Sequence, residues 1–533
     1  MSRPILSFAL LWAIALCGAR TTSLGAQLTQ AESQVLQDRL LQTNLRGPRW
    51  TGNENQYTMT ELVAEGMENA GLDVDTIEYD FYRWDPRWWT LKLTLVNGTV
   101  IGVPTTGYWP YSGNTNLSGI TAPLVDVGTF GILPTGDGDP STLNLSGVAP
   151  LSSGGSIIFF DNPSPTHNYS EPGYHLLGTS RNISSSQIPE LGNLTNPHWQ
   201  GTKTLDWTAL YQQGVVGAIS AWVNTSDDNA ALQFLPNVGS PGNGSTPNAY
   251  TVPALYVGST TGQMIRGLLA SGVVANATVV LKAPDVWAQT QTVVAHLDGA
   301  AADDTDDTIL IFTHSDGPSI IEENGPLVLL SIAEHFASYT PKILNMSLDF
   351  VITTGHMSGH HLNESAWMSD YPELLQNAKF AIACEHFGAL EWKDEFSSPS
   401  MTPVYSATGN LEPMWTMANE SKASGSLHDS YLNAFDGTPS SLRMALLAPE
   451  YVNGTRSPWY GVGGSAVLGR SSIPTIGIIP QPDYLWASMT DGGWSKLDMN
   501  ALMVEVDVLI ALIQKLDARY VSSSDAESRS RAP

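Results

Sequence analysis

Hydrophobic positions along this chain recur with two periods, and the switches between them outline a fold. Leu36, Leu40, Leu41 and Leu45 stand at helical spacing and predict a helix over 28–45. Leu62, Val63 and Met67 predict a second over 58–70, stopped at Gly71. Residues 72–81 then alternate as a strand does. From residue 286 onward, apolar runs at 286–297, 308–313, 347–354, 379–383 and 473–479 read as strands, and helical patterns at 325–337, 366–378 and 499–516 separate or follow them. This alternation predicts an α/β fold: a mixed, mostly parallel sheet sandwiched by helices.

The middle of the chain has a different character. Between about 105 and 283, Gly, Pro, Ser and Asn separate short β-like runs at 156–160, 215–222, 254–257 and 273–281, with one helix at 260–269. The expected order is therefore a leader at 1–26, the N-terminal part of the α/β domain at 27–104, an inserted mainly-β domain at 105–283, the main α/β domain at 284–520 and a Ser-rich, charged, disordered tail at 521–533.

Composition adds compartment and partners. Apolar residues 5–16 behind Arg3, with small residues at Gly18, Ala19, Gly25 and Ala26, read as a secretory signal. No later stretch has the ~20 uninterrupted apolar residues of a membrane span. The mature protein is thus expected to be secreted, extracellular and without a membrane span. Thirteen Asn-x-Ser/Thr sites, among them Asn97, Asn168, Asn345, Asn363 and Asn419, fit an exported glycoprotein carrying N-linked glycans. Of the two Cys, Cys17 lies in the leader, so Cys384 stands alone and reads as a buried small hydrophobe. A formal charge of -27 argues against nucleic acid and anionic membrane as partners. The aromatics Tyr82, Trp84, Trp88, Trp89, Tyr108, Trp109 and Tyr111 read either as a surface that stacks on sugar rings or as packing of a strand pair or domain seam.

Candidate chemistry gathers where the strands of the second half end. Thr313-His314-Ser315-Asp316 follows one, with Glu322-Glu323-Asn324-Gly325 in the next loop. Gly355-His356-Met357-Ser358-Gly359-His360-His361 follows another, and Cys384-Glu385-His386 a third. Open α/β sheets place ligands beyond the carboxyl ends of their strands, and neutral imidazoles with carboxylates are the ligand set of zinc and similar divalent ions. Asp316 reads as a ligand or as the group that orients the His314 ring. Glu322 and Glu323 read equally as ligands and as the acidic first turn of a helix. A carboxylate such as Glu385 at the end of an apolar strand is costly to bury without a cation.

These residues resemble the zinc aminopeptidase and carboxypeptidase family with two co-catalytic metals, which includes plasma glutamate carboxypeptidase and bacterial leucyl aminopeptidase. Residues 46–74 resemble its opening segment, 214–283 its inserted protease-associated module, and 293–516 its catalytic order. The resemblance implies that His314 is the first metal-binding His and Asp316 the Asp that orients it. It also implies that Glu322 or Glu323 stands where the family has a metal-bridging Asp, and that Glu385 is the acidic ligand ending a later strand. His356-Met357 stands where the family has a Glu-Glu pair, base then ligand, and 473–485 holds no counterpart of the family's last His ligand. A Met thioether is a poor zinc ligand among oxygen and nitrogen donors.

The expectation is a secreted hydrolase with one divalent ion, taken as zinc, held by His314, Glu322 or Glu323, and Glu385. His356 is expected as general base and His360 as its reserve, cleaving a peptide or related amide bond. Other readings on the same fold are a hydrolase or lyase acting on a glycan or other small molecule, and a non-catalytic binding protein. A hydroxyl presented by Gly461-Val462-Gly463-Gly464-Ser465 lacks the spacing of a nucleophile elbow.

Overall fold

The computed structural model describes residues 27–132, 138–163, 166–168, 174–179, 193–195, 205–223, 225–230, 251–302, 304–358, 362, 364–395, 403–419, 426–449, 451–452, 455–456, 468, 473–480 and 491–530. The leader read at 1–26, His360, the turn at 461–465 and the loop at 481–485 lie outside them.

A nine-stranded sheet organises the molecule. Its strands are β1 (Asp73–Trp84), β2 (Tyr174–Thr179), β3 (Asp285–Leu297), β4 (Thr308–His314), β5 (Ser347–Thr353), β6 (Ala378–Cys384), β7 (Met414–Ala418), β8 (Met444–Pro449) and β9 (Thr475–Pro480), in the order β1-β3-β5-β4-β6-β9-β7-β8-β2. The central strands β5, β4, β6 and β9 run parallel, and antiparallel pairs flank them on both sides. Every residue of β4 and β5 is buried, which is why these strands read as continuous apolar runs rather than alternating ones.

The two faces of β4 pack differently. Ile309 and Ile311 meet helices α1 (Gln30–Arg46), α2 (Glu54–Asn69), α3 (Gly325–Ala337) and the C-terminal α4 (Met499–Ser530) through Leu36, Val63, Leu330 and Leu509. Leu310 and Phe312 meet Trp367 and Leu374 on the other side. The single helix expected over 366–378 is two short ones, Trp367–Asp370 and Pro372–Asn377, because a residue before proline is driven out of the helical region; Tyr371 has φ −127° and ψ 64°. The tail expected to be disordered from 521 continues α4 to Ser530. Once a helix is nucleated and packed, each added residue gains a hydrogen bond without a new nucleation cost.

Two smaller sheets draw on residues 88–282. One has five strands, with Val215–Val223 and Ser156–Pro163 at its centre; the other has four, with Trp88–Leu95 paired to Val274–Lys282. The insertion boundary expected at 105 thus falls inside the four-stranded sheet, whose strands include Val100–Val103. Their facing sides enclose Leu91, Leu93, Ile157, Phe159, Ile219 and Leu281. Most of the aromatics noted in the sequence pack: Trp84 meets Tyr108 and Tyr111, and Trp109 stacks on Tyr256. Trp88 is 57% exposed. Asn419, one of the expected glycan sites, is buried: its amide donates to the Ile473 carbonyl and accepts from the Thr475 N–H, each at 2.8 Å, so a glycan there would displace both bonds. Among the described residues no helix is long and apolar enough to cross a membrane.

Candidate metal centre

Because β5, β4 and β6 are parallel neighbours, their carboxyl ends share one edge of the sheet. His314 ends β4, Glu322 comes from the loop before α3, and Glu385 and His386 follow β6. That loop is held tightly. A Cβ on Gly325 would stand 2.1 Å from Thr313 Oγ1, so only glycine lets α3 begin against the strand. Asn324 ties the loop to the segment beyond His386: its Nδ2 donates to the Phe387 carbonyl at 2.7 Å and its Oδ1 accepts from the Phe387 N–H at 3.0 Å.

Two imidazoles present the same nitrogen to the same place. His314 Nδ1 lies 2.9 Å from the Asp316 carbonyl and His386 Nδ1 lies 3.0 Å from the Pro480 carbonyl. A carbonyl only accepts, so each Nδ1 carries a hydrogen and the neutral ring keeps its lone pair on Nε2. His314 Nε2 lies 3.4 Å from Glu385 Oε2 and 4.0 Å from Glu322 Oε1. His386 Nε2 lies 3.0 Å from Glu322 Oε2 and 3.4 Å from Glu385 Oε2. Ligands bound tetrahedrally at ~2.0–2.1 Å stand about 3.3 Å from one another, and the nitrogen-to-oxygen separations in this ring of four donors, 3.0–4.0 Å, are of that order.

Hydrogen bonding supports the same fit. His314 Nε2, His386 Nε2, both oxygens of Glu322 and Glu385 Oε1 are buried without a hydrogen-bond partner. Lone pairs facing lone pairs away from water are costly, and a cation among them removes the cost. Two overlapping groups bring their ligand atoms within 4.8 Å of one another: His314, Glu322 and His386, and His314, His356 and Glu385. Burial works against ionised Glu385, but His314, His386 and His356 outweigh it and hold the carboxyl down at about 2. Burial likewise disfavours charged His356, yet Glu364, Glu385 and Glu322 push it up to about 10. Cys384, which precedes Glu385, is buried, and burial pushes its thiol up.

Of the residues singled out in the sequence, His314, Glu322 and Glu385 meet in the ring. His356 stands beside it, its ring stacked on His314 at 4.1 Å and its Nε2 3.9 Å from Glu322 Oε1. Asp316 orients His314 through its backbone carbonyl, while Oδ2 of its side chain accepts from the Thr51 hydroxyl and the Met357 N–H. Glu323 is removed from the ligand set: its carboxylate is paired with the buried guanidinium of Arg49. Arg49 and Gly317 also exchange two backbone hydrogen bonds of 2.9 Å, which seats the segment between α1 and α2 against the ligand loop. Met357 is buried among Trp84, Tyr108 and Tyr111. His386 was not among the expected ligands. Neighbours in an extended strand point to opposite faces, but His386 has φ +60°, and this turn swings its ring to the side Glu385 occupies.

No family model and no curated sequence matches this chain. Solved structures match its fold over nearly its whole length. A peptidase M28 precursor from Shewanella amazonensis gives a TM-score of 0.59 at 15% identity, covering 92% of this chain and 94% of that one. BSAP, a zinc aminopeptidase from Bacillus subtilis, gives 0.58 at 14% identity, covering 92% and 96%. An aminopeptidase from Aneurinibacillus gives 0.54 at 16% identity, covering 91% and 93%. The chain has the zinc aminopeptidase fold. At these identities the aminopeptidase fold accounts for the architecture, and the chemistry has to be argued from the side chains this chain carries.

Proposed function

We propose that the chain is a metal-dependent hydrolase of exopeptidase type, using one divalent ion held by His314, Glu322, Glu385 and His386. The observation that carries this reading is the set of buried, unpartnered nitrogen and carboxylate atoms those residues turn toward one another. A bound zinc or similar ion would act there as a Lewis acid on the carbonyl of a peptide or related amide bond, and zinc accepts a further donor beyond four.

The remaining work falls to the protein. The Asp316 and Pro480 carbonyls fix the two ligand imidazoles in one tautomer. A cation among Glu322 and Glu385 would oppose the pull that keeps His356 charged, and the neutral His356 is the base that takes a proton from the attacking water and returns it to the leaving amine. Met357 offers no ligand beside it, which favours one ion over two. Solved structures with this fold bear the names of aminopeptidases and a peptidase precursor, and this favours a peptide over a glycan as substrate. The leader-like residues 1–26 and the Asn-x-Ser/Thr sites support export, so the activity is assigned outside the cell.

The test is metal analysis of purified full-length protein alongside hydrolysis of a peptide library with added zinc or manganese. About one ion per chain is expected, with turnover lost and the melting temperature lowered on chelation. Protein free of metal whose melting temperature ignores chelator would overturn the proposal in favour of a non-catalytic binding protein.

A further inference from the structure

Glu364 belongs to neither ligand group, yet its Oε2 lies 3.4 Å from His356 Nδ1. The His356 ring therefore lies between two carboxylates, with Nδ1 bonded to Glu364 and Nε2 3.9 Å from Glu322 Oε1. Its plane is held as well, by the stack on His314. Glu364 is itself anchored: its backbone carbonyl accepts from the Thr353 hydroxyl at 2.7 Å, and Thr353 is the last residue of β5. The chain thus leaves β5, delivers His356, and returns to the same strand end to deliver the carboxylate that meets it.

This arrangement settles a competition for one hydrogen. A neutral imidazole carries its hydrogen on one nitrogen, and carboxylates on both sides of the ring invite it. If Nε2 took it, the hydrogen would point at Glu322 and the lone pair would face away from the site. With Glu364 accepting from Nδ1, the lone pair lies on Nε2, the nitrogen beside the ligand ring. We propose that Glu364 is the positioning residue for His356, fixing the tautomer and orientation in which Nε2 can accept a proton. A carboxylate–imidazole pair then does what a single carboxylate does in the family this fold resembles. The division of labour is the one by which a buried Asp holds the base of a Ser-His-Asp triad. The proposal rests on the hydrolase reading given above.

The experiment compares metal-loaded, full-length wild type with Glu364→Ala and Glu364→Asp. Three measurements are made: turnover of aminoacyl p-nitroanilides, metal content, and the ring-nitrogen NMR signals of His356, assigned by its absence in His356→Gln. Glu364→Ala is expected to lower kcat about 10- to 100-fold, as loss of an orienting carboxylate does, with KM within about twofold and metal retained. Glu364→Asp should recover part of the loss. The wild-type His356 signals should report hydrogen on Nδ1, and Glu364→Ala should shift that population toward Nε2. Unchanged kcat in Glu364→Ala, or metal lost together with activity, would overturn the proposal. If wild type cleaves no probe, the hydrolase reading has failed, and the NMR comparison still decides: a shifted tautomer supports the Glu364–His356 pairing and an unshifted one overturns it.

Discussion

Past β4 and β6 the chain turns two imidazoles and two carboxylates toward one another and leaves both Nε2 atoms, both Glu322 oxygens and Glu385 Oε1 without hydrogen-bond partners. Past β5, the neighbour of β4 on its other side, it offers one imidazole and then Met357, whose side chain joins the aromatic core of the smaller sheets. Tyr111 seals that second region. It donates to the Met357 carbonyl at 3.4 Å and holds a left-handed backbone, φ +57°, that bulky residues seldom adopt. A methionine fills an irregular apolar gap well and binds hard cations badly. On the one-ion reading proposed above, the contrast teaches that what limits the ion count lies outside the sheet: Met357 meets Trp84, Tyr108 and Tyr111 at the strand ends instead of offering a second ligand.

The comparison breaks most readily on its polar side. Removing one ligand, as His386→Ala or Glu385→Ala, is expected to abolish turnover and weaken metal affinity by more than the ~10- to 100-fold that loss of a supporting residue costs. Titration with a competing chelator measures this, and a His386→Ala protein with undiminished affinity would take that residue out of the ring. Next in size is Arg49→Met, which strands the Glu323 carboxylate in the core and should cost about 3–5 kcal/mol in chemical denaturation.

On the apolar side, Met357→Glu installs the carboxylate the resemblance would expect. It should cost about 3 kcal/mol by burying a charge among aromatics, without recruiting a second ion. A doubled metal content in that variant would show that ligand identity, not packing, sets the count. The smallest effect lies beneath the polar side, where Glu505 accepts from the Gly388 N–H at 2.7 Å and burial pushes its carboxyl up to about 8. The folded protein keeps a proton that the unfolded chain releases near 4.5, so this contribution is whole below that pH and is lost as pH rises through about 8. Glu505→Gln should flatten that loss and leave the variant about 1–2 kcal/mol more stable than wild type at alkaline pH. Parallel pH–stability curves for the two proteins would contradict it.

Much of this was readable before the fold was in hand, and the unread part has physical causes. The buried central strands announced themselves as unbroken apolar runs, and His314 and Glu385 were conspicuous as ionisable groups at their ends. His386 stands at the same strand end, where period-two alternation alone would send it to the face opposite Glu385. A positive φ in a non-glycine residue leaves no mark in sequence. Glu322 and Glu323 could not be told apart because the difference between them is made by Arg49, 274 residues away from Glu323. Asp316 reads in the sequence as a ligand or as the group that orients His314, and the contact to the His314 ring comes from its backbone carbonyl, which every residue has. Strands β7 and β8 went unread, being short and set among Ser- and Gly-rich stretches.

The Arg49 contact also bears on the order in which the molecule is made. Both smaller sheets are encoded between Arg49 and Glu323, so a ribosome emits the clamp first, then all of the intervening 88–282 region, and only then the loop it grips. Contacts so distant along the chain form late in folding, after loop-closure entropy has been met by other structure. A nascent chain that has just extruded His314 therefore holds no ready pocket for an ion. On the proposed reading, metal capture belongs to the finished protein, and the supply of ions it sees is that of the compartment where folding is completed.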